Sequence, residues 1–430
     1  MHERSRRQLC RLVFIALCAL PTLITSSWAA YRVSPFFAAS QRAAWESLLL
    51  ERTGLVATID RVEFPAGGSV VLAGVELVDP DGGERVVRLR QIEIATTAQG
   101  QVFLLSQPQI AQGKFLRLWD MLHDRVLRGA MPASAMQITS GELTVEIGRR
   151  AQTFTNVRCT VEPLDTGVRA TIDFQLAGVE MPSPAQLRID RNRQITPPTT
   201  SWSFHTDSPV PCDLFRDYLP AVASWGLDCR FQGKVDTVLM RDDWSAELVG
   251  RFTQIDLNET TNSFPHKLTG IAELAVHGAY FEQGKLRQAS GQFLANGGDV
   301  STSLLRSLGE QLGATISINV ARSPGPYAKY HQMAFDFELS SEGMTIVGRC
   351  PAAQSGVVMC SVAEPLLSIN PMQHQSLYAI VCALSPSSDV MVPATEESKG
   401  LLEILAFPRA NGKSSRTQTA QPPGVRVRME

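Results

Sequence analysis

Apolar residues recur at every second position over most of this chain, and that period confines it to β-structure. Leu143, Val145 and Ile147 share one side while Thr144 and Glu146 take the other. Val168, Ala170, Ile172, Phe174 and Leu176 oppose Arg169, Thr171, Asp173 and Gln175. Even spacing returns in Trp244, Ala246, Leu248 and Phe252, in Ile316, Ile318 and Val320, and in Phe335, Phe337 and Leu339. Successive side chains of a strand point to opposite faces, so a period of two sets one apolar face against one wetted face. Antiparallel sheet is the arrangement that tolerates such unequal faces. The expected fold is mainly β (α+β): a long curved antiparallel sheet with an apolar concave face, few short helices and an N-terminal transmembrane helix.

The N-terminus follows a different rule. Arg4, Arg6, Arg7 and Arg11 precede an uncharged run from Leu12 to Ala30. Roughly 17 to 25 apolar residues cross a bilayer as one helix, and Pro21 is tolerated inside such a helix. Basic residues before the span hold the N-terminus in the cytoplasm and put the body outside. The expected location is therefore the inner (cytoplasmic) membrane, single-pass, with a periplasmic or extracytoplasmic body. A cleaved signal peptide is the alternative, because Ser27 and Ala29 fit a small-x-small site. It would release the body as a secreted protein.

Helical spacing is rare in the body. It is expected at Ser40–Thr53, at Lys114–Arg128, in a short piece at Asp213–Val222, at Ser301–Leu312 with Ser301 as N-cap and Gly313 past the end, and at Glu396–Phe407. The turn Asp79-Pro80-Asp81-Gly82 separates the strand-like SVVLAGVELV and VVRLRQIEIA. The proline-bearing stretch Arg191–Thr200 reads as a linker between two β-rich regions, 31–190 and 201–408. Residues 409–430 carry almost no large apolar side chain and read as a tail.

Composition removes several functions. A net charge of -2, from 40 basic and 42 acidic residues, leaves no footprint for a nucleic-acid partner. Charged residues at 19% against 44% hydrophobic point to an ordered chain. Cys10 and Cys18 fall in or beside the apolar segment. Cys159, Cys212, Cys229, Cys350, Cys360 and Cys382 remain in the body, where fifteen complete disulfide pairings are open, as are buried free thiols.

No GxSxG elbow, P-loop, GxGxxG turn, HExxH pair or EF-hand loop occurs. Gly412-Lys413-Ser414 lacks the upstream glycine of a P-loop. The histidines at 2, 123, 205, 266, 277, 331 and 374 never reach ligand spacing with each other or with a cysteine. Asp242-Asp243 and Glu396-Glu397 are adjacent carboxylates whose side chains diverge in strand or helix. Asn258-Glu259-Thr260 fits a glycosylation sequon. No catalytic residue, cofactor or metal is expected. The apolar stripes are either sheet core packed on helices or, with too few helices to cover them, a binding groove. The groove candidates are Val145, Ile147, Ile172, Phe174, Phe335 and Phe337.

The N-terminal span, TGLVATIDRVEFPAGGSVVLAGVELVDPDG, QITSGELTVEI, TFTNVRCTVEPLDTGVRATIDFQLAG, the helix GGDVSTSLLRSLGEQLG and the hairpin MAFDFELSSEGMTIVGRC together resemble the AsmA-like proteins, the group that includes TamB. That resemblance implies a membrane-anchored envelope protein with a bent periplasmic sheet and an apolar trough, acting in phospholipid movement or outer-membrane assembly. The expected function is non-enzymatic binding of lipid acyl chains, with membrane and phospholipid as partners. The alternative is an assembly factor that recruits another envelope protein, for instance by strand addition. An exported enzyme is the third reading.

Overall fold

The computed structural model describes residues 12–384 apart from 99, 115–116, 119–120, 130–133, 148–149, 216–219, 241–242, 320–324 and 352–354. The four N-terminal arginines, the expected helix Glu396–Phe407 with its carboxylate pair, Gly412-Lys413-Ser414 and the expected tail lie outside the described residues.

Helix α1 is Leu12–Val33, 22 residues long, with none of its apolar window buried, and it is long and apolar enough to cross a membrane. Pro21 lacks an amide donor, and a wider π-helical turn at Ile15–Ala19 precedes it. Hydroxyls help saturate the nearby carbonyls: Thr22 Oγ1 donates to Cys18 O at 2.6 Å and Thr25 Oγ1 to Pro21 O at 2.9 Å. Ser34 is extended and ends α1. Its Oγ accepts from Phe37 N and so caps α2, Pro35–Thr53, which begins with proline and closes on left-handed Gly54. Helix α2 therefore starts five residues before the expected Ser40, because the Ser34-Pro35 pair is itself a start signal.

The body is one sheet of 19 strands. Strands β1 (Val56–Glu63), β2 (Val70–Val78) and β3 (Arg85–Thr97) form an antiparallel meander. Next come β4 (Gly100–Ser106), β5 (Gln109–Ile110), β6 (Ala135–Ile147), β7 (Arg150–Leu164), β8 (Gly167–Leu176) and β9 (Ala185–Asn192). The ladder continues through β10 (Thr199–Pro211), β11 (Arg230–Met240), β12 (Asp243–Asp256), β13 (Ile271–Glu282) and β14 (Lys285–Ser301). It ends with β15 (Thr315–Ile316), β16 (Tyr327–Ser340), β17 (Gly343–Gly348), β18 (Val357–Cys360) and β19 (Pro365–Ser368).

The sheet is mixed, where alternation alone implies a purely antiparallel one. β4 and β5 pair antiparallel with β3 but parallel with β6. Parallel neighbours need a crossover of a dozen or more residues, and 111–134 supplies it. Within the expected Lys114–Arg128 helix, the described residues include a helical piece at 117–118 and a π-helical turn, Met121–Leu127. Leu127 is fully buried against Val161, Val168, Ala170 and Ile189, so the crossover lies across one face of the sheet. Arg191–Thr200, read from sequence as a linker, holds the turn of the β9–β10 hairpin, with Thr199 opposite Asn192 and the ladder continuous through it.

Short turns join β7–β8, β9–β10, β11–β12, β13–β14 and β16–β17 at one rim. The opposite rim carries the longer insertions. Between β10 and β11 stand two 3-10 turns, Cys212–Phe215 and Pro220–Trp225, where one helix over Asp213–Val222 was expected. Helix α3 (Leu257–Thr260) follows β12, with Asp256 as its N-cap. Helix α4, Thr302–Leu312, follows β14 with Ser301 Oγ accepting from Leu304 N and left-handed Gly313 at its end, as the sequence predicts. Helix α5, Leu377–Leu384, packs on α4, and Ser307 Oγ donates to Ala383 O at 2.8 Å.

Candidate functional site

Residues paired in a ladder share a face, so the registers trace the apolar stripes across the sheet. One row runs Met136, Val161, Ala170, Ile189, Trp202, Thr237, Ala246 and Phe281 from β6 to β13. A second runs Ile138, Cys159, Ile172, Leu187, Phe204, Val235, Leu248, Ala279, Ala289, Leu339 and Met344 from β6 to β17. A third, nearer the insertion rim, runs Val210, Phe231, Phe252, Leu274, Phe293 and Phe335. Bulges keep these rows in phase. On β7, left-handed Asn156 inserts a residue, so Phe154 and Cys159 sit on the same face despite their odd separation.

The face is covered unevenly. Around β1 to β8 it meets α2 and the crossover, and Leu72, Val75 and Val86 are fully buried. At the insertion rim Phe215 packs between Phe204 and Phe231, with ring centroids 5.2 and 5.9 Å apart, and Trp225 stands edge-on to Phe252 at 4.9 Å. Between these covers, Ile172, Phe174, Leu187, Trp202, Val235, Leu274, Phe293, Phe335 and Phe337 remain half-buried. These half-buried side chains, with buried neighbours such as Phe204, Leu248 and Leu339 between them, line one partly open apolar face from β8 to β17, the trough.

Five of the six groove candidates have described side chains, and they divide. Val145 is only 3% exposed and belongs to the covered part. Ile172 and Phe174 sit together on β8, where Phe174 meets Phe154 edge-on at 5.1 Å and leans across β9 to within 6.4 Å of the Phe204 ring. Phe335 and Phe337 lie together at the far end, Phe335 stacked on Phe293 at 5.0 Å. Gly291 faces Phe337, and a methyl group there would meet the ring at 3.0 Å, so glycine makes the seat for that phenylalanine. The backbone of Ile147 pairs with Arg150, and its side chain lies outside the described residues.

At the short-turn rim the same face becomes basic. Arg191 and Arg193 continue the Leu187, Ile189 side of β9, and Arg128 approaches from the crossover. Arg191 donates to Thr200 Oγ1 at 2.8 Å, and His123 Nε2 lies 3.4 Å from that hydroxyl. Arg193 donates to the carbonyls of Leu127 and Gly129 at 2.7 and 2.8 Å, tying the crossover to β9. Asp124 is the carboxylate bonded here, at 3.0 Å from His123 Nδ1 and 3.3 Å from Arg128. Burial alone would raise its pKa, but bonding to His123 and Arg128 holds it below the ordinary carboxylate value. Partial burial, then the neighbouring charges of Arg128 and Arg193, press the Arg191 guanidinium below its usual value. Cations crowded this way favour an anion.

Sequence reasoning missed this cluster because 191–200 read as a linker, where arginines are simply solvated. Its signal was parity: Arg191 and Arg193 keep step with Leu187 and Ile189. Among the described residues no three of His, Cys, Asp and Glu gather as metal ligands. No family model, curated protein or solved structure matches the chain.

Proposed function

We propose that this chain is an AsmA-like, membrane-anchored envelope protein that holds lipid acyl chains in the open trough and contributes, without catalysis, to phospholipid transport or envelope homeostasis. The observation that carries the reading is the apolar face from β8 to β17, where half-buried side chains from Ile172 and Phe174 to Phe335 and Phe337 stand beside buried ones such as Phe204, Leu248 and Leu339. An apolar surface of that extent, bordered by polar rims, is what a ligand with long hydrocarbon chains requires. The basic cluster beside Arg191 supplies the complementary charge for a phosphate-bearing headgroup at the same rim. The arginines before α1 favour a body outside the cytoplasm.

Assembly by strand addition is less well supported at the β1 edge, which α2 occupies. Glu46 Oε1 accepts from Ile59 N at 3.0 Å, and Arg42 donates to Asp60 O.

The test is photocrosslinking of the purified full chain with a phospholipid carrying a photoreactive acyl chain. Adducts should map to Ile172, Phe174, Phe335 and Phe337, and Phe174→Asp with Phe337→Asp should remove them while circular dichroism stays unchanged. Adducts confined to Leu12–Val33 in the wild-type chain would overturn the reading, since the anchor alone would then be meeting lipid.

A further inference from the structure

Four of the six body cysteines stand in two contacting pairs. Cys212 follows directly on the Pro211–Arg230 rung of the β10–β11 ladder, and its amide donates to Cys229 O at 3.0 Å, so the two cysteines form the next rung. Opposed residues of an antiparallel ladder have Cα atoms about 4.5–5.5 Å apart, inside the range that a disulfide spans. Their thiols are in hydrogen-bond contact, and each residue is 1% exposed. Cys350 and Cys360 also have thiols in contact. The Cys350 amide donates to Val357 O at 3.0 Å and its thiol to Val358 O at 3.2 Å, which sets it beside β18. Cys360 occupies the end of β18, opposite Gln332. The pair closes a small apolar cluster with Ala334 and Val357 on the face away from the trough. Cys159 packs instead on β7 against the Leu127 cluster, and Cys382 bonds to Tyr378.

We propose that Cys212–Cys229 and Cys350–Cys360 are two disulfide-forming pairs, the first of which fastens the aromatic cap of Phe215 and Trp225 over the insertion rim of the trough. Each closure follows thiol–disulfide exchange. One thiolate attacks an external disulfide, a mixed disulfide forms, and the second thiol displaces the donor. Two protons and two electrons leave each cysteine pair, and the donor departs as two thiols. Contact with Cys229, then burial, pushes the Cys212 thiol pKa up, and burial, then Cys360, pushes Cys350 to about 12. Thiolate is the attacking form, so closure belongs to folding, before these thiols are covered.

The proposal rests on the reading that the body lies outside the cytoplasm, and two arms separate the two ideas. In the first, the full chain is unfolded, reduced, refolded in detergent with a glutathione redox couple, alkylated and digested without reductant. Joined peptides Cys212–Cys229 and Cys350–Cys360 are expected, with Cys159 and Cys382 alkylated. Four alkylated cysteines, or crosslinks to Cys159 or Cys382, would overturn the pairing. In the second, cells are quenched with acid and an alkylating agent before the chain is isolated. The same two crosslinks are expected there. Their absence after a positive first arm would keep the geometry and defeat the extracytoplasmic placement. Reduction of the crosslinked chain should raise protease cleavage within 213–228 several-fold while leaving cleavage across β1 to β4 unchanged. Equal sensitivity in both forms would remove the cap from the proposal.

Discussion

At the scale of single residues, the trough separates side chains that hold the sheet together from side chains that remain available. Phe231 is 1% exposed, flanked by Phe204, Phe215 and Phe252. Truncating such a phenylalanine removes its burial and leaves a cavity, at a cost of about 3–5 kcal/mol. Phe231→Ala should therefore lower the unfolding free energy by that amount, whereas Phe335→Ala, half-buried against Phe293, should cost clearly less. Equal losses in urea titrations would mean that Phe335 is ordinary core and that the far end of the trough is not open. Gly291 supplies a second contrast. A methyl group there would lie 2.2 Å from Ala275 O as well as against the Phe337 ring, so Gly291→Ala forces the β13–β14 ladder apart. It should destabilise the protein by about 1–3 kcal/mol, as overpacking does, and thermal unfolding would register it.

Elements, unlike residues, are positioned here by how strands end. The short-turn rim brings β9 and β10 together at Asn192–Thr199, and Arg193 clamps the crossover against them. Arg193 is thus the structural member of the basic cluster, while Arg191, bonded to Thr200, and Arg128, paired with Asp124, supply the rest of its charge. Replacing both, Arg191→Gln with Arg128→Gln, should leave binding of a zwitterionic phospholipid unchanged and reduce the preference for an anionic one several-fold. Vesicle flotation of the full chain at low and high salt measures both. An unchanged preference would detach the cluster from the ligand.

Much of this level was legible in the sequence. The strands around Leu143, Val168 and Phe335 announced themselves by alternation, and α4 by Ser301 and Gly313. Less was legible where tertiary contacts decide. Nothing local showed that β6 runs parallel to β4 and β5, because crossover direction leaves no mark on spacing. Val145 reads like Phe174 in sequence, and only tertiary packing makes one core and the other half-buried. The pairing of Cys212 with Cys229 likewise needed the β10–β11 register, which brings together residues separated by a long insertion.

For the molecule as a whole, the consequence of one continuous ladder is length. From β8 to β17 the trough crosses nine successive strands, and at about 4.8 Å per spacing it extends for roughly 40 Å. A lipid's acyl chains occupy one leaflet, about half of a hydrocarbon core some 30 Å thick. The trough is therefore more than twice as long as a single lipid needs when its chains lie across the strands. Phe174 and Phe337 then mark separate places along it, each with its own neighbours, Phe154 and Phe204 for one and Gly291 for the other. Substitutions that share no partner act independently. Native mass spectrometry of the full chain should show more than one phospholipid bound, Phe174→Asp and Phe337→Asp should each remove part of that load, and the double variant should remove both parts. If either single substitution emptied the protein, the trough would be one site with a single occupant, and passage of lipids in file along the sheet would lose its physical basis.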